Sequence, residues 1–376
     1  MRIVLIAHNL MKAGGLSVGR QIVTTMSQIA PSHHYLVTVP DDCAYPGFEE
    51  CENIKVVYCP AKQYLQRWQW EHRTMLPQLR EFKPDWIWSL GNHCCNYPGV
   101  RQSLLFHNSH RIYKDESRRN SSFFERLKKD ILDWKFAVSL KRASRVYCQT
   151  GTMRDKLHEV YRYPLDKIGI CSNAFFVNPC ETSIQLPETI SSLNGFVMLV
   201  LSKYYPHKNL EVIVDVYKKF RNELHDVHTI LTIDASENRK ASAIIDKIKR
   251  YRLESNIHCI GAIPPESLST YFNKSDIMFL PTLMESFSGT YPEAMYYNVP
   301  ILTSDRSFAR EVCDDAAFYV NPLSPNDIFA GIMRLKTDTP LREQLIDNGK
   351  KRLGTYIRSW KDIVRDVLVQ EEISTD

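Results

Sequence analysis

A chain of 376 residues is longer than one ordinary hydrophobic core serves, so two domains are expected. Hydrophobic content of 44% and charged content of 24% are those of a soluble globular enzyme, and a net charge of +5 does not argue for nucleic acid. The 10 cysteines form no Cys-x-x-Cys pair, which speaks against zinc and redox motifs, and no stretch approaches the ~18 apolar residues of a membrane span.

Residues 2–7 are a strand pattern, too short and wrongly flanked for a signal peptide. Residues 8–15 read as a loop carrying Gly14 and Gly15, and residues 16–29 as a helix by their apolar spacing of three and four. Further strands are expected at 35–39 and 54–59. Strand, glycine loop, helix, strand is the opening of a doubly wound α/β domain. The glycines do not spell G-x-G-x-x-G, so a dinucleotide fingerprint is absent. Residues 63–82 predict a helix rich in aromatics. Strands at 86–90 and 103–106 follow, the second ending in His107. Strand C-terminal ends line the ligand crevice of such sheets, so His107 is a candidate for chemistry, against the plainer reading of a loop histidine held by hydrogen bonds.

Residues 121–143 predict a long helix with Phe123, Phe124, Leu127, Ile131, Trp134 and Val138 on one side. The region 101–145 is locally basic and is a candidate contact with an anionic membrane, the alternative being a solvated helix face. A strand at 145–149, a helix at 151–160 and a strand at 168–171 close the first half. Residues 172–193 lack periodicity and read as the linker. A second α/β pattern starts with a strand at 196–201. It continues through helices at 210–224 and 239–251, strands at 228–233 and 257–260, and a strand at 277–280. Pro292 is expected to open a helix, residues 299–303 the next strand, and residues 340–353 and 355–369 the closing helices.

The strongest constellation joins two loops of this second half. Residues 202–209, SKYYPHKN, carry Lys203 and Lys208; residues 285–293, ESFSGTYPE, carry Glu285 and Glu293 around a helix start with Ser288, Gly289 and Thr290. Both follow strands of one expected sheet, so both point into one crevice. Free N–H groups at a helix start, two lysines and two carboxylates suit a diphosphate together with sugar hydroxyls. Lys208 stands near a helix N-terminus, where the dipole disfavours a cation, which points to an anionic partner. Glu293 has an equal alternative as the closing glutamate of a capping box begun by Thr290. No Asp-x-Asp occurs, so positive charge at a diphosphate must come from lysines and backbone amides and no metal is expected.

The sequence ESFSGTYPEAM followed by NVPILTSDRSFAREV resembles the glycosyltransferases of family 4, and SKYYPHKN resembles that family's Arg-x4-Lys clamp with Lys203 in the arginine position. The resemblance implies the GT-B fold: two Rossmann-like α/β domains facing each other across a cleft. These would be an acceptor domain at 1–174, a donor domain at 175–353, and a helix at 354–376 crossing back to the first. It implies a retaining, metal-independent enzyme that needs no cofactor and moves a sugar from a nucleotide-diphosphate sugar to a saccharide or lipid-linked saccharide, in bacterial-type surface polysaccharide synthesis, in the cytoplasm or at the inner membrane face. By the same resemblance His107, Glu285 and Lys208 would be catalytic. Gly14, Gly15, Lys203, Lys208, Ile263, Glu285, Ser288, Gly289, Thr290 and Glu293 would bind the donor. Lysine at 203 lacks the planar fork with which arginine grips phosphate. Two other readings of the same site stand beside this one: a nucleotide-sugar epimerase or hydrolase, and a non-catalytic nucleotide-sugar-binding subunit.

Overall fold

Nearly continuous apolar runs, rather than alternating ones, mark strands buried on both faces, and such strands assemble into parallel sheets covered by helices. The computed structural model, which describes residues 1–11, 13–40, 51–119, 121–175 and 185–375, contains two such sheets. The chain divides into two units, Met1–Ala174 with Arg358–Asp376, and Phe175–Ile357.

The sheet of the first unit comprises β1 (Arg2–Ile6), β2 (His34–Val39), β3 (Ile54–Tyr58), β4 (Trp86–Ser89), β5 (Arg101–Phe106), β6 (Arg145–Cys148) and β7 (Ile168–Ile170), in the order β3-β2-β1-β4-β5-β6-β7. That of the second comprises β8 (Phe196–Val200), β9 (Val227–Leu231), β10 (Ile257–Cys259), β11 (Ile277–Leu280), β12 (Ile301–Ser304) and β13 (Ala317–Val320), in the order β10-β9-β8-β11-β12-β13. Every adjacent pair is parallel. Both sheets reverse winding between their first and fourth strands, β1/β4 and β8/β11. A crevice opens at the carboxyl ends there.

The closing helix Trp360–Gln370 belongs to the first unit, where Ile363, Val364, Val367 and Leu368 enter the core with Trp86, Trp88 and Tyr147. The buried carboxylate of Glu371 accepts from Ser103 Oγ (2.6 Å) and Tyr147 OH (2.9 Å). Ser103 in turn accepts from Trp86 Nε1 at 3.0 Å.

Several expectations are corrected. Gly14 and Gly15 lie in the first turn of the Ala13–Ile29 helix and not in the preceding loop. The expected helix at 63–82 contains a π-helical turn, Glu71–Met75, between Tyr64–Trp70 and Leu76–Phe82. The helix Thr339–Tyr356 extends past Leu353 and takes in Thr355, because the chain turns extended only at Ile357. Pro292 is the third residue of the helix Thr290–Tyr296 and does not open it, although its missing N–H still falls among the first-turn groups that have no intrahelical acceptor. Part of the expected linker, 176–184, lies outside the described residues, as do Cys43 and Cys180. The largest surprise is the apolar side of the helix Phe123–Leu140. It faces outward, and the core is met instead by Phe136, Ser139 and Leu140.

Candidate active site

Lys208 and Glu285 are 77 residues apart in sequence and form an ion pair, both side chains being mostly buried. Lys208 ends the short 3-10 turn Pro206–Lys208 that follows β8; Glu285 lies in the loop that follows β11. Two contacts bring these loops together. Leu283 N donates to His207 O at 2.8 Å. Asn209 adopts the left-handed region (φ 54°) and its side-chain amide donates to Pro281 O at 3.3 Å and Pro322 O at 2.7 Å. Asparagine tolerates that backbone region better than most residues, and its one side chain ties the ends of three strands behind Lys208. Glu237 braces the start of the same loop, accepting from Tyr204 N at 2.9 Å and Asp234 N at 3.1 Å.

The helix Thr290–Tyr296 starts at Gly289 and no side chain caps it. The capping box is therefore not formed. Glu293 sits in the first turn with its backbone N–H on Gly289 O at 3.1 Å, while burial raises its carboxyl to about 7. Burial disfavours the charged form of such a carboxyl. The helix itself is fixed: Tyr291 OH meets Thr303 Oγ1 at 2.8 Å, and Thr303 Oγ1 donates to Leu280 O at 3.0 Å. Ser288 is buried, Gly289 is exposed and Thr290 is intermediate at this helix start. Lys203 is exposed on the same loop as Lys208, and Ile263 lies half-exposed two residues past Gly261, whose φ is +75°. The second unit thus brings together Lys208 and Glu285 in direct contact, with Glu293 and the helix start on the β11–β12 connection.

Gly14, Gly15 and His107 belong to the first unit. His107 follows β5; its backbone N–H donates to Asn92 Oδ1 at 2.8 Å, and its buried Nδ1 has no hydrogen-bond partner. Burial lowers its pKa to about 4, so it is a neutral imidazole. A side chain at Gly14 would meet open space, and one at Gly15 would lie 3.4 Å from Leu10 Cδ2.

A group that sequence reasoning missed lies at the β1/β4 reversal of this unit. His8, buried at the end of β1, meets Thr38 Oγ1 (2.9 Å) through Nδ1 and Glu71 Oε1 (3.1 Å) through Nε2. Glu71 opens the π-turn, a helical irregularity that recurs at functional sites. Arg67 on the preceding turn donates to Asn9 Oδ1 at 3.0 Å, and its Nε is buried without a partner. Gly91 lets the ends of β1 and β4 approach, since a Cβ there would lie 2.7 Å from Asn9 Cβ. Of these, Asn9, Arg67, Glu71 and Gly91 line a cavity of about 520 Å³ that also takes in Trp68, Trp134 and Arg142, with His8 behind Glu71. His8 had a signal in sequence, its place after the first strand. Glu71 had none, because its partner is 63 residues away.

Two parallel-sheet Rossmann-like domains, the second carrying a cation–carboxylate pair and a helix start at its strand ends, have the fold class of the GT-B glycosyltransferases. Residues 185–352, within the second unit, match the family model of the glycosyl transferases group 1, and that match supports a glycosyltransferase activity. The O-antigen chain mannosyltransferase RfbU of Salmonella typhimurium is 24% identical over 221 residues, 59% of this chain and 57% of that protein. Sucrose-phosphate synthase from Thermosynechococcus elongatus matches 99% of this chain and 98% of its own with a TM-score of 0.75 at 14% identity. Anabaena HepE, solved with UDP-glucose, matches 98% and 100% with a TM-score of 0.71 at 16% identity. At such identities the solved structures establish the fold.

Proposed function

We propose that this chain is a retaining, metal-independent glycosyltransferase of family 4. It moves a sugar from a nucleotide-diphosphate sugar to a saccharide acceptor in surface polysaccharide synthesis. The carrying observation is the meeting of Lys208 and Glu285 at the β8/β11 reversal. Lys208, with Lys203 and the first-turn amides at Ser288, Gly289 and Thr290, neutralises the diphosphate as it leaves. This is charge stabilisation prepared before the reaction. Glu285 holds the Lys208 ammonium in place and accepts from sugar hydroxyls, Glu293 accepts from the ribose, and Ile263 packs near the base. The acceptor hydroxyl attacks on the face the diphosphate leaves, with the departing phosphate as base. His107 offers a neutral imidazole to a sugar hydroxyl, and Gly14 and Gly15 leave the donor's phosphates room to approach backbone.

HepE's complex with UDP-glucose supports a nucleotide-sugar donor, and the name of RfbU supports the polysaccharide setting. The reading places the enzyme in the cytoplasm, with the basic region 101–145 against an anionic membrane face. No described helix is long and apolar enough to cross a membrane. A thermal-shift screen of nucleoside diphosphates and their sugars tests the reading, because a ligand at 100 times its dissociation constant adds ~2.7 kcal/mol. At least one is expected to shift the wild type and to lose its shift in Lys208→Ala. Transfer is expected to survive EDTA. No shift with any nucleoside diphosphate would sink the proposal, and donor turnover that needs no acceptor would redirect it to hydrolysis or epimerisation.

A further inference from the structure

The ion pair between Lys208 and Glu285 sets a condition on any phosphate that comes to this crevice. Lys208 is the cation offered to a diphosphate, and a carboxylate of the protein meets the same ammonium. The two side chains are 16% and 13% exposed, so water screens the charges poorly. The meeting is imposed by the loops. Leu283 N donates to His207 O, and the Asn209 amide donates to Pro281 O and Pro322 O, which fixes the backbone on both sides of the pair. The other carboxylates beside the Lys208 loop are committed elsewhere. Glu237 accepts from Tyr204 N and Asp234 N, and Glu211 accepts from Tyr204 OH at 2.6 Å. Burial raises the Glu293 carboxyl to about 7, so near pH 6 it brings little charge of its own. The negative charge that a diphosphate meets at Lys208 is therefore that of Glu285.

An ammonium has three N–H groups, enough for a carboxylate and a phosphate oxygen at once. Charge is the harder limit. A diphosphate that shares Lys208 with Glu285 stands close to a like charge in a poorly screened site, and the two anions repel. Sugar hydroxyls on the same ligand offset that repulsion, because they donate to the carboxylate in charge-assisted hydrogen bonds. A bare nucleoside diphosphate brings the repulsion without the relief.

Resting on the glycosyltransferase reading, we propose that Glu285 competes with the diphosphate for Lys208 and yields only while sugar hydroxyls engage it. The crevice then holds an intact nucleotide sugar more tightly than the nucleoside diphosphate left by transfer. Loss of the sugar returns Glu285 to Lys208 and drives the product out. Glu285 is thus the residue that distinguishes a loaded ligand from a spent one. A plain anchoring role has the opposite signature. A carboxylate that only held Lys208 in position would help every phosphate ligand, and its removal would weaken them all.

Isothermal titration calorimetry of the full chain at pH 6 separates the two signs. The probes are inorganic pyrophosphate, which carries no base, and UDP, GDP, ADP and dTDP beside UDP-glucose, GDP-mannose, ADP-glucose and dTDP-glucose. The wild type is expected to bind one nucleotide sugar at least about fivefold more tightly than its nucleoside diphosphate. Glu285→Gln is expected to bind pyrophosphate and that nucleoside diphosphate at least about fivefold more tightly than the wild type does, and the nucleotide sugar no more tightly. The gain should disappear when Glu285→Gln is made in Lys208→Ala, since the competition is for that ammonium. Glu285→Ala carries the same expected sign and replaces Glu285→Gln if the latter does not fold. Equal or weaker binding of pyrophosphate and nucleoside diphosphate, in a variant that melts as the wild type does, overturns the competition and leaves Glu285 an anchor. An equal gain for nucleoside diphosphate and nucleotide sugar overturns the response to the sugar. In both cases a wild type that binds a nucleotide sugar keeps the glycosyltransferase reading. A wild type that binds none of these nucleotides loses that reading, and this inference with it.

Discussion

Each sheet reverses at equivalent strands, β1/β4 and β8/β11, yet the two crevices differ in kind. The second is organised by fixed charge: Lys208 against Glu285, an uncapped helix start, and Glu293 held partly desolvated. The first is organised by space, a 520 Å³ cavity with aromatic walls and a polar interior. A charged crevice suits a ligand whose recognisable part is always the same, such as a diphosphate. A roomy one suits a partner that varies. The two crevices share one architecture, and what differs lies in the loops after the strands and not in the strands.

The comparison can be broken from the side of stability first. Deleting residues 358–376 removes Ile363, Val364, Val367 and Leu368 from the first core, each at most 1% exposed. At ~1.5–3 kcal/mol per buried side chain this is about 6–12 kcal/mol, comparable to the stability of a whole domain. The truncated chain should lose native tryptophan fluorescence while the second unit still melts cooperatively by circular dichroism. Two unchanged melts would show that the helix is dispensable.

Glu293 gives the next effect. Its carboxyl holds a proton up to about 7 in the fold, against an ordinary value of 4.5, because burial disfavours the charge. Folding therefore takes up a proton between those values. The stabilisation is complete below 4.5 and is lost as pH rises through 7. Glu293→Gln should exceed the wild type by on the order of 3 kcal/mol near pH 8 and match it near pH 4. The same variant should bind nucleoside diphosphates more weakly. Parallel melts of the two proteins across that range would refute the assignment.

Lys208→Ala should cost about 1.5–3 kcal/mol in kcat/KM at subsaturating donor, the scale of a hydrogen bond to a charged group. Asn209→Ala should destabilise by about 2 kcal/mol, since it leaves a residue with a Cβ at φ 54° and removes two hydrogen bonds to carbonyls. Part of the Lys208 loss should appear with it, read as a rise in donor KM. At the small end, Phe124→Ser should move stability by no more than about 0.5 kcal/mol, because the side chain is 79% exposed. A large drop would mean that the apolar side of the helix Phe123–Leu140 is covered in the folded chain, and would remove the contrast between the two crevices.

Both sheets were legible in the sequence because buried parallel strands write themselves as unbroken apolar runs, as at Phe196–Val200 and Ile277–Leu280. The loops after β8 and β11 were legible because their side chains are crowded into two short segments. What escaped depends on pairing across distance. Glu71 acquires its setting from His8, and Asn209 acquires its importance from Pro281 and Pro322. The outward apolar side of the helix Phe123–Leu140 escaped for another reason. Periodicity at Phe123, Leu127, Ile131 and Trp134 tells that a helix has an apolar side and says nothing of where that side points. The capping box at Thr290 was a reasonable local match that the observed helix start, at Gly289, does not use.

The closing helix carries a consequence for how the protein is made. The first unit is encoded at both ends of the chain, and its core is incomplete until Ile363–Leu368 arrive. At ~5–20 residues per second, the stretch between residues 174 and 358 takes about 10–40 s to synthesise. Throughout that interval the second unit can mature while the first waits with Trp86, Trp88 and Tyr147 only partly covered. The half translated first is the half finished last, and its exposed interior is where a nascent chain of this protein would draw a chaperone.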